Sequence, residues 1–148
     1  MLTKQKLTAK VTVGLILLKD NSILLLRRFN TGYADGLYGL VAGCVDKNES
    51  IITAMIREAK EEAAIILKPE WLTMSCVIHA SKGNRDTDCI DFFFVTSKWE
   101  NMPINNEPHK CDDMRFFPLD GLPANIMPVA QQAINNMLKG INFSQYEW

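Results

Sequence analysis

The chain has 148 residues, 47% of them hydrophobic, and carries 16 Lys and Arg against 17 Asp and Glu for a formal net charge of −1. A chain of this length can remove roughly 68–70% of its unfolded surface from water, so a sizeable core is available. The interspersed charges give no basic field for double-stranded nucleic acid and no polybasic segment for a membrane surface, so any anionic ligand has to be attracted locally.

The opening MLTKQKLTAK lacks the apolar run of a signal peptide, and VGLILL is far too short to span a bilayer, which leads to the expectation of a soluble, cytoplasmic protein. Cys44, Cys76, Cys89 and Cys111 form no C-x2-C pair and have only His79 and His109 as partners for a soft metal. Reduced, structural thiols are expected.

Residues 11–18, VTVGLILL, and 22–28, SILLLRR, are apolar runs separated by KDN, which predicts a β-hairpin. FNTGYADG, residues 29–36, is a loop rich in turn formers. LYGLVAG supplies a short strand before a second loop, CVDKNES. Ser50 or Asn48 is a plausible N-cap for a helix from about Ile51 to Ala63, whose apolar stripe is Ile52, Met55, Ile56, Ala59 and Ala63. WLTMSCVIHA, residues 71–80, and TDCIDFFFVTSKW, residues 87–99, read as long strands joined by a turn at SKGNRD. ENMPINNEPHKCD, residues 100–112, is a polar loop and MRFFPL one more strand. A last helix from about Met127 to Leu138, carrying Val129, Ile134, Met137 and Leu138, ends at Lys139–Gly140. The fold class is therefore α/β (α+β), a mixed sheet with helices packed on it.

REAKEEAA, residues 57–64, sets Glu58, Glu61 and Glu62 on one helical face, off the apolar stripe. Like charges at this spacing destabilise a helix by roughly 0.2–0.5 kcal/mol per pair. A solvated face with Arg57 and Lys60 as partners is one reading. The other is a site for a hard divalent cation such as Mg2+, which takes one or two carboxylates together with waters and substrate phosphates.

The longer run GCVDKNESIITAMIREAKEEAAI, residues 43–65, resembles the Nudix box, G-x5-E-x7-R-E-U-x-E-E-x-G-U with U aliphatic. Gly43, Glu49, Arg57, Glu58, Ala59, Glu61, Glu62 and Ile65 stand in register, and Ala64 replaces the second glycine. The strand ahead of the box also departs from the usual pattern at Ala42 and Cys44. The resemblance implies a Nudix-type α/β/α sandwich forming a single domain over residues 1–148, and hydrolysis of a diphosphate linkage with Mg2+ (or Mn2+) as cofactor. It implies Glu58 and Glu62 as main metal ligands, Glu61 as a further ligand or general base, the Gly43 carbonyl as a backbone ligand, and Arg57 as the residue that orients a glutamate. Gly43 could equally supply only a turn, and Glu49 could serve only the helix dipole.

Two stretches are similar to the MutT branch of the family, which hydrolyses nucleoside triphosphates, including oxidised purine nucleotides such as 8-oxo-dGTP, to monophosphate and pyrophosphate. Arg27 and Arg28 are adjacent on a strand and should face opposite ways, with Arg28 the candidate for phosphate and a solvated strand end the alternative. Asn125, in LPANIMP, matches an asparagine that contacts the purine, or it is a helix cap. The resemblance also implies an additional acidic ligand or water-activating residue in this region, with Asp113, then Glu107, as candidates and a solvated loop as the alternative. Phe29, Tyr33 and Tyr38 could stack a base, with core packing the favoured use of Tyr38. The expected partner is a small-molecule nucleotide, with no double-stranded nucleic acid and no membrane, and a homodimer stays open. The alternative substrates are other nucleoside diphosphate derivatives (a nucleotide sugar, ADP-ribose, a capped RNA end), and the third reading is a non-catalytic ligand-binding module.

Overall fold

A computed structural model describes residues 3–83 and 85–148. Met1, Leu2 and Asn84, the last within the expected turn at residues 81–86, lie outside the described residues. The chain opens with the expected hairpin, β1 (Ala9–Lys19) and β2 (Ser22–Arg28), in the register Leu18 opposite Ile23 and Lys19 opposite Ser22. Asp20 and Asn21 both take positive φ, 48° and 63°, the left-handed pair whose twist matches that of the flanking strands.

Residues 38–44 then run as β3 (Tyr38–Gly39) and β4 (Val41–Cys44). β3 pairs with β2 and β4 with β1, so this short stretch links the two halves of the hairpin. Helix α1 (Ile51–Ala63) follows, capped by the Ser50 hydroxyl, which accepts the Thr53 N–H at 3.1 Å. A 3-10 turn at Pro69–Trp71 delays β5 (Thr73–Ala80), so that strand begins later than its apolar run suggests. Proline at the start of the turn presets the φ that a turn needs.

Next come β6 (Asp88–Thr96), β7 (Cys111–Pro118), α2 (Pro128–Lys139) and β8 (Phe143–Tyr146). β7 starts inside the run expected to be loop, and β8 has no counterpart in the sequence reading. Among the described residues the strands form an eight-stranded sheet in the order β3-β2-β1-β6-β5-β8, with β4 also on β1 and β7 on β2. β1 with β6 and β5 with β8 are parallel and the other pairs antiparallel, which makes the sheet mixed.

Period-two alternation divides the strands between two cores. Val13, Leu15, Leu17 and Leu24 pack with Met55, Ala59 and Ala63 of α1. Ile16, Ile23, Leu25 and Phe93 pack with Ala130, Ala133 and Ile134 of α2. The result is an α/β/α sandwich with one helix on each face. No helix among the described residues is long and apolar enough to cross a membrane.

Candidate active site

The stripe of α1 turns its acidic face toward the edge of β4. Gly43 stands opposite Val13 on β1, and a Cβ at this position would collide with the Glu58 carboxylate. The bare backbone is what lets the carboxylate approach. One turn on, Glu62 Oε2 accepts the Ala42 N–H at 2.8 Å. Burial pushes the Glu58 carboxyl above its ordinary range. It pushes Glu62 well above that range, with the charges of Glu58 and Glu107 adding to the shift.

Arg57 holds this cluster from the other side. Its Nε and Nη2 donate to the two oxygens of Glu49 at 2.7 and 2.9 Å, a bidentate pair. Nη1 donates to Glu58 at 2.9 Å and to Glu61 at 3.2 Å, and Nη2 also reaches the Cys44 carbonyl at 3.0 Å. The Arg57 guanidinium, helped by the Asp46 N–H, holds the Glu49 carboxyl down at about 2. A single guanidinium thus offsets the crowding of Glu58 and Glu61 and ties the loop before α1 to the helix.

The glutamates of α1 border a cavity of about 500 Å3, within the range of small-ligand sites. Glu58, Glu61, Glu62, Glu107 and Gly43 line it together with Arg27, Arg28 and Lys110. Between Arg27 and Arg28 the pairing of β2 with β7 shifts register, leaving Asp112 as an extra residue on β7, and both arginines are among the residues that line the cavity, with the Arg27 guanidinium donating to Asp112 at 2.7 Å. Arg28 also braces the 29–37 loop, donating to Tyr33 O at 2.6 Å and to the Thr31 hydroxyl at 3.0 Å. Tyr33 and Phe29 are about half exposed, and Tyr38 is buried as expected.

The remaining candidates sit elsewhere. Asp113 accepts hydrogen bonds from the Tyr38 hydroxyl and from Arg115, and it is not among the cavity-lining residues described. The Tyr38 hydroxyl holds its carboxyl below the ordinary range. Asn125 is not among the cavity-lining residues described either: its side-chain amide donates to Gly36 O at 2.9 Å and its backbone carbonyl accepts the Tyr38 N–H at 2.8 Å, which pins the end of the loop. Arg27 and Lys110 were not among the sequence candidates. Lys110 had a signal, since Pro108 marks a turn that returns a residue three beyond Glu107 to the same side.

Among the described residues no three His, Cys, Asp or Glu side chains form a ready-made metal cage. The donors nevertheless suit a hard cation that keeps waters and shares its shell with phosphate. Buried carboxylates that repel one another at Glu58 and Glu62, and a glycine cradle that a Cβ would fill, fit a divalent ion better than they fit a bare protein surface.

The chain matches the family model described as NUDIX domain over residues 8–137. It is 41% identical over 116 residues to a protein named ADP-ribose pyrophosphatase from Methanocaldococcus jannaschii, covering 76% of this chain and 64% of that one. It is 26% identical over 125 residues to a protein named NAD-capped RNA hydrolase NudC from Stutzerimonas stutzeri, covering 84% of this chain and 42% of that one. The chain thus matches less than two thirds of the length of each of these relatives. Among solved structures, the MutT NUDIX hydrolase from Burkholderia pseudomallei superposes with a TM-score of 0.81 at 26% identity, covering 87% of this chain and 98% of that one. With Gly43, Glu58, Glu61 and Glu62 of the box lining one cavity and the family model matching residues 8–137, this chain belongs to the NUDIX domain family.

Proposed function

We propose that the protein hydrolyses the diphosphate linkage of a nucleoside diphosphate joined to a second group, with Mg2+ or Mn2+ as cofactor. The observation that carries this reading is one cavity lined by four glutamates and three cationic residues, Arg27, Arg28 and Lys110. Carboxylates suit a divalent ion, and arginine and lysine suit phosphate oxygens. Glu58 and Glu62, with the Gly43 backbone, would hold the ion, and Glu107 adds to the same acidic wall. When bound, the ion polarises a phosphoryl oxygen and lowers the pKa of a water.

The protein's own groups do the rest. Arg28 and Lys110 hold phosphate oxygens by charge-assisted hydrogen bonds. Glu61, about half exposed and 3.2 Å from Arg57, accepts the proton of the attacking water on a carboxylate oxygen. A new P–O bond forms to that water as the bridging P–O bond breaks, and the leaving phosphate departs with the electron pair.

The 41% identical relative carries the name ADP-ribose pyrophosphatase, which favours a substrate of that kind. The Asn125 amide, on which purine reading of a MutT type rests, is engaged by Gly36 O. A second reading, hydrolysis of a nucleoside triphosphate such as 8-oxo-dGTP, is favoured by Arg28 and Lys110 lining the cavity beside Arg27, a set of cations suited to a polyphosphate. Product analysis separates them. ADP-ribose should give AMP and ribose 5-phosphate, whereas a triphosphate should give monophosphate and pyrophosphate, and faster turnover of triphosphates than of ADP-ribose would reverse the order of the two readings.

A further inference from the structure

The last four carbonyls of an α-helix have no partner within it. In α1 they belong to Lys60, Glu61, Glu62 and Ala63, and the residue after them is Ala64 at φ 56°, in the left-handed position that glycine usually fills. The Ala64 N–H reaches Lys60 O at 3.1 Å, the Ile104 N–H reaches Ala63 O at 3.0 Å, and the Asn106 N–H reaches Glu62 O at 3.1 Å. The Asn106 side-chain amide donates to Glu61 O at 3.1 Å and more distantly to Lys60 O at 3.4 Å. Every one of the four carbonyls is satisfied, and three of them involve Asn106.

Asn106 directly precedes Glu107, which faces the cavity. The chain then folds back in a turn, with the N–H groups of Lys110 and Cys111 on Glu107 O at 2.9 and 3.0 Å. Asn105 locks this turn, donating to Cys111 O at 2.7 Å and accepting the Glu107 N–H at 3.2 Å.

We infer that Asn106 is a positioning residue: by closing the end of α1 it fixes the Glu107 carboxylate and the Lys110 ammonium relative to Glu62. The acidic wall of the cavity is then assembled from two chain segments held in register by the Asn106 side-chain amide together with the backbone bonds of Ile104 and Asn106. The side-chain type matters. An amide donates to helix-end carbonyls, whereas a carboxylate of the same shape has no proton to give and is repelled by the negative end of the dipole. This inference rests on the hydrolytic reading of the cavity for its catalytic part.

Asn106→Ala removes the amide and keeps the backbone bond, and Ala64→Gly restores stability at the same helix end by relieving the left-handed alanine. The melting temperature, the Mn2+ dissociation constant by electron paramagnetic resonance, and kcat are compared for wild type, both single variants and the double variant. The expected result is a double variant that melts like the wild type yet binds Mn2+ and turns over about 10- to 100-fold less well, the scale for residues that hold a metal ligand in place. Asn106→Asp should fail in the same way despite its size. Wild-type Mn2+ affinity and kcat in the double variant would overturn the inference and leave Asn106 a stabilising cap. If the wild type turned over none of the substrates, the hydrolytic reading would fall, and the Mn2+ affinities alone would still decide for or against Asn106.

Discussion

On the proposed hydrolytic reading, Glu62 is the residue on which the chemistry depends most, because its carboxylate lies deep beside β4, where it accepts the Ala42 N–H. Glu62→Gln keeps the shape and removes a charge, so kcat should fall at least about a hundredfold, as for other electrostatic catalytic groups, with the circular dichroism spectrum unchanged. Asn125 belongs to the loop. Losing its bond to Gly36 O in Asn125→Ala should lower stability by about 1 kcal/mol, and a urea titration that shows no change would remove the pinning role. Glu49 sets a pH dependence. Its carboxyl is lowered from 4.5 in the unfolded chain to about 2 when folded, so the stability it contributes is present above pH 4.5 and is lost as pH falls toward 2. Glu49→Gln should therefore be less stable than wild type at neutral pH, with the difference closing through that acid window. A gap that stayed constant down to the acid limit would contradict the ion pair with Arg57.

At the scale of elements, α1 carries a fault at its end that a substitution can mend. Ala64→Gly should raise stability by about 1 kcal/mol, roughly 2–4 °C in melting temperature, since only glycine takes a positive φ without cost. A lower melting temperature would mean that the methyl group packs more than it strains. The helix itself was legible because its signals are local. The Ser50 cap, the stripe from Ile52 to Ala63 and the charged positions of the box all lie within about four turns of chain. What surrounds it was not local. The register shift that leaves Asp112 as an extra residue on β7 opposite Arg27 and Arg28 depends on which strands pair, and that is not written in either strand alone. Glu107 and Asp113 are equally acidic and close in sequence, yet the turn locked by Asn105 sends the first to the cavity, while the second meets Tyr38 and Arg115. β8 escaped notice because an edge strand of four residues, half covered on one side, carries almost no hydrophobic pattern.

For the whole molecule, the three layers explain why the cavity lies where it does. α1 is held on one face by Val13, Leu15 and Leu17 of β1, and the same strand pairs with β4, so Gly43 and the glutamates are fixed by one central element. β2 brings Arg27 and Arg28 to the rim, and β7 follows directly after the turn that carries Glu107 and Lys110. A cation bound at such a site in the folded state alone must raise the unfolding free energy. Saturating Mg2+ or Mn2+ should therefore raise the melting temperature of the wild type and do so less in Glu62→Gln, and an identical shift in both would place the ion elsewhere. The most direct measurement is the Mg2+-dependent turnover of ADP-ribose and of nucleoside triphosphates by the wild type and by Glu62→Gln, with products identified by mass spectrometry. The account predicts cleavage within the diphosphate linkage, dependent on the metal and nearly abolished in the variant. Cleavage that persists in Glu62→Gln, or a wild type that leaves every diphosphate intact with Mg2+ and Mn2+, would contradict it.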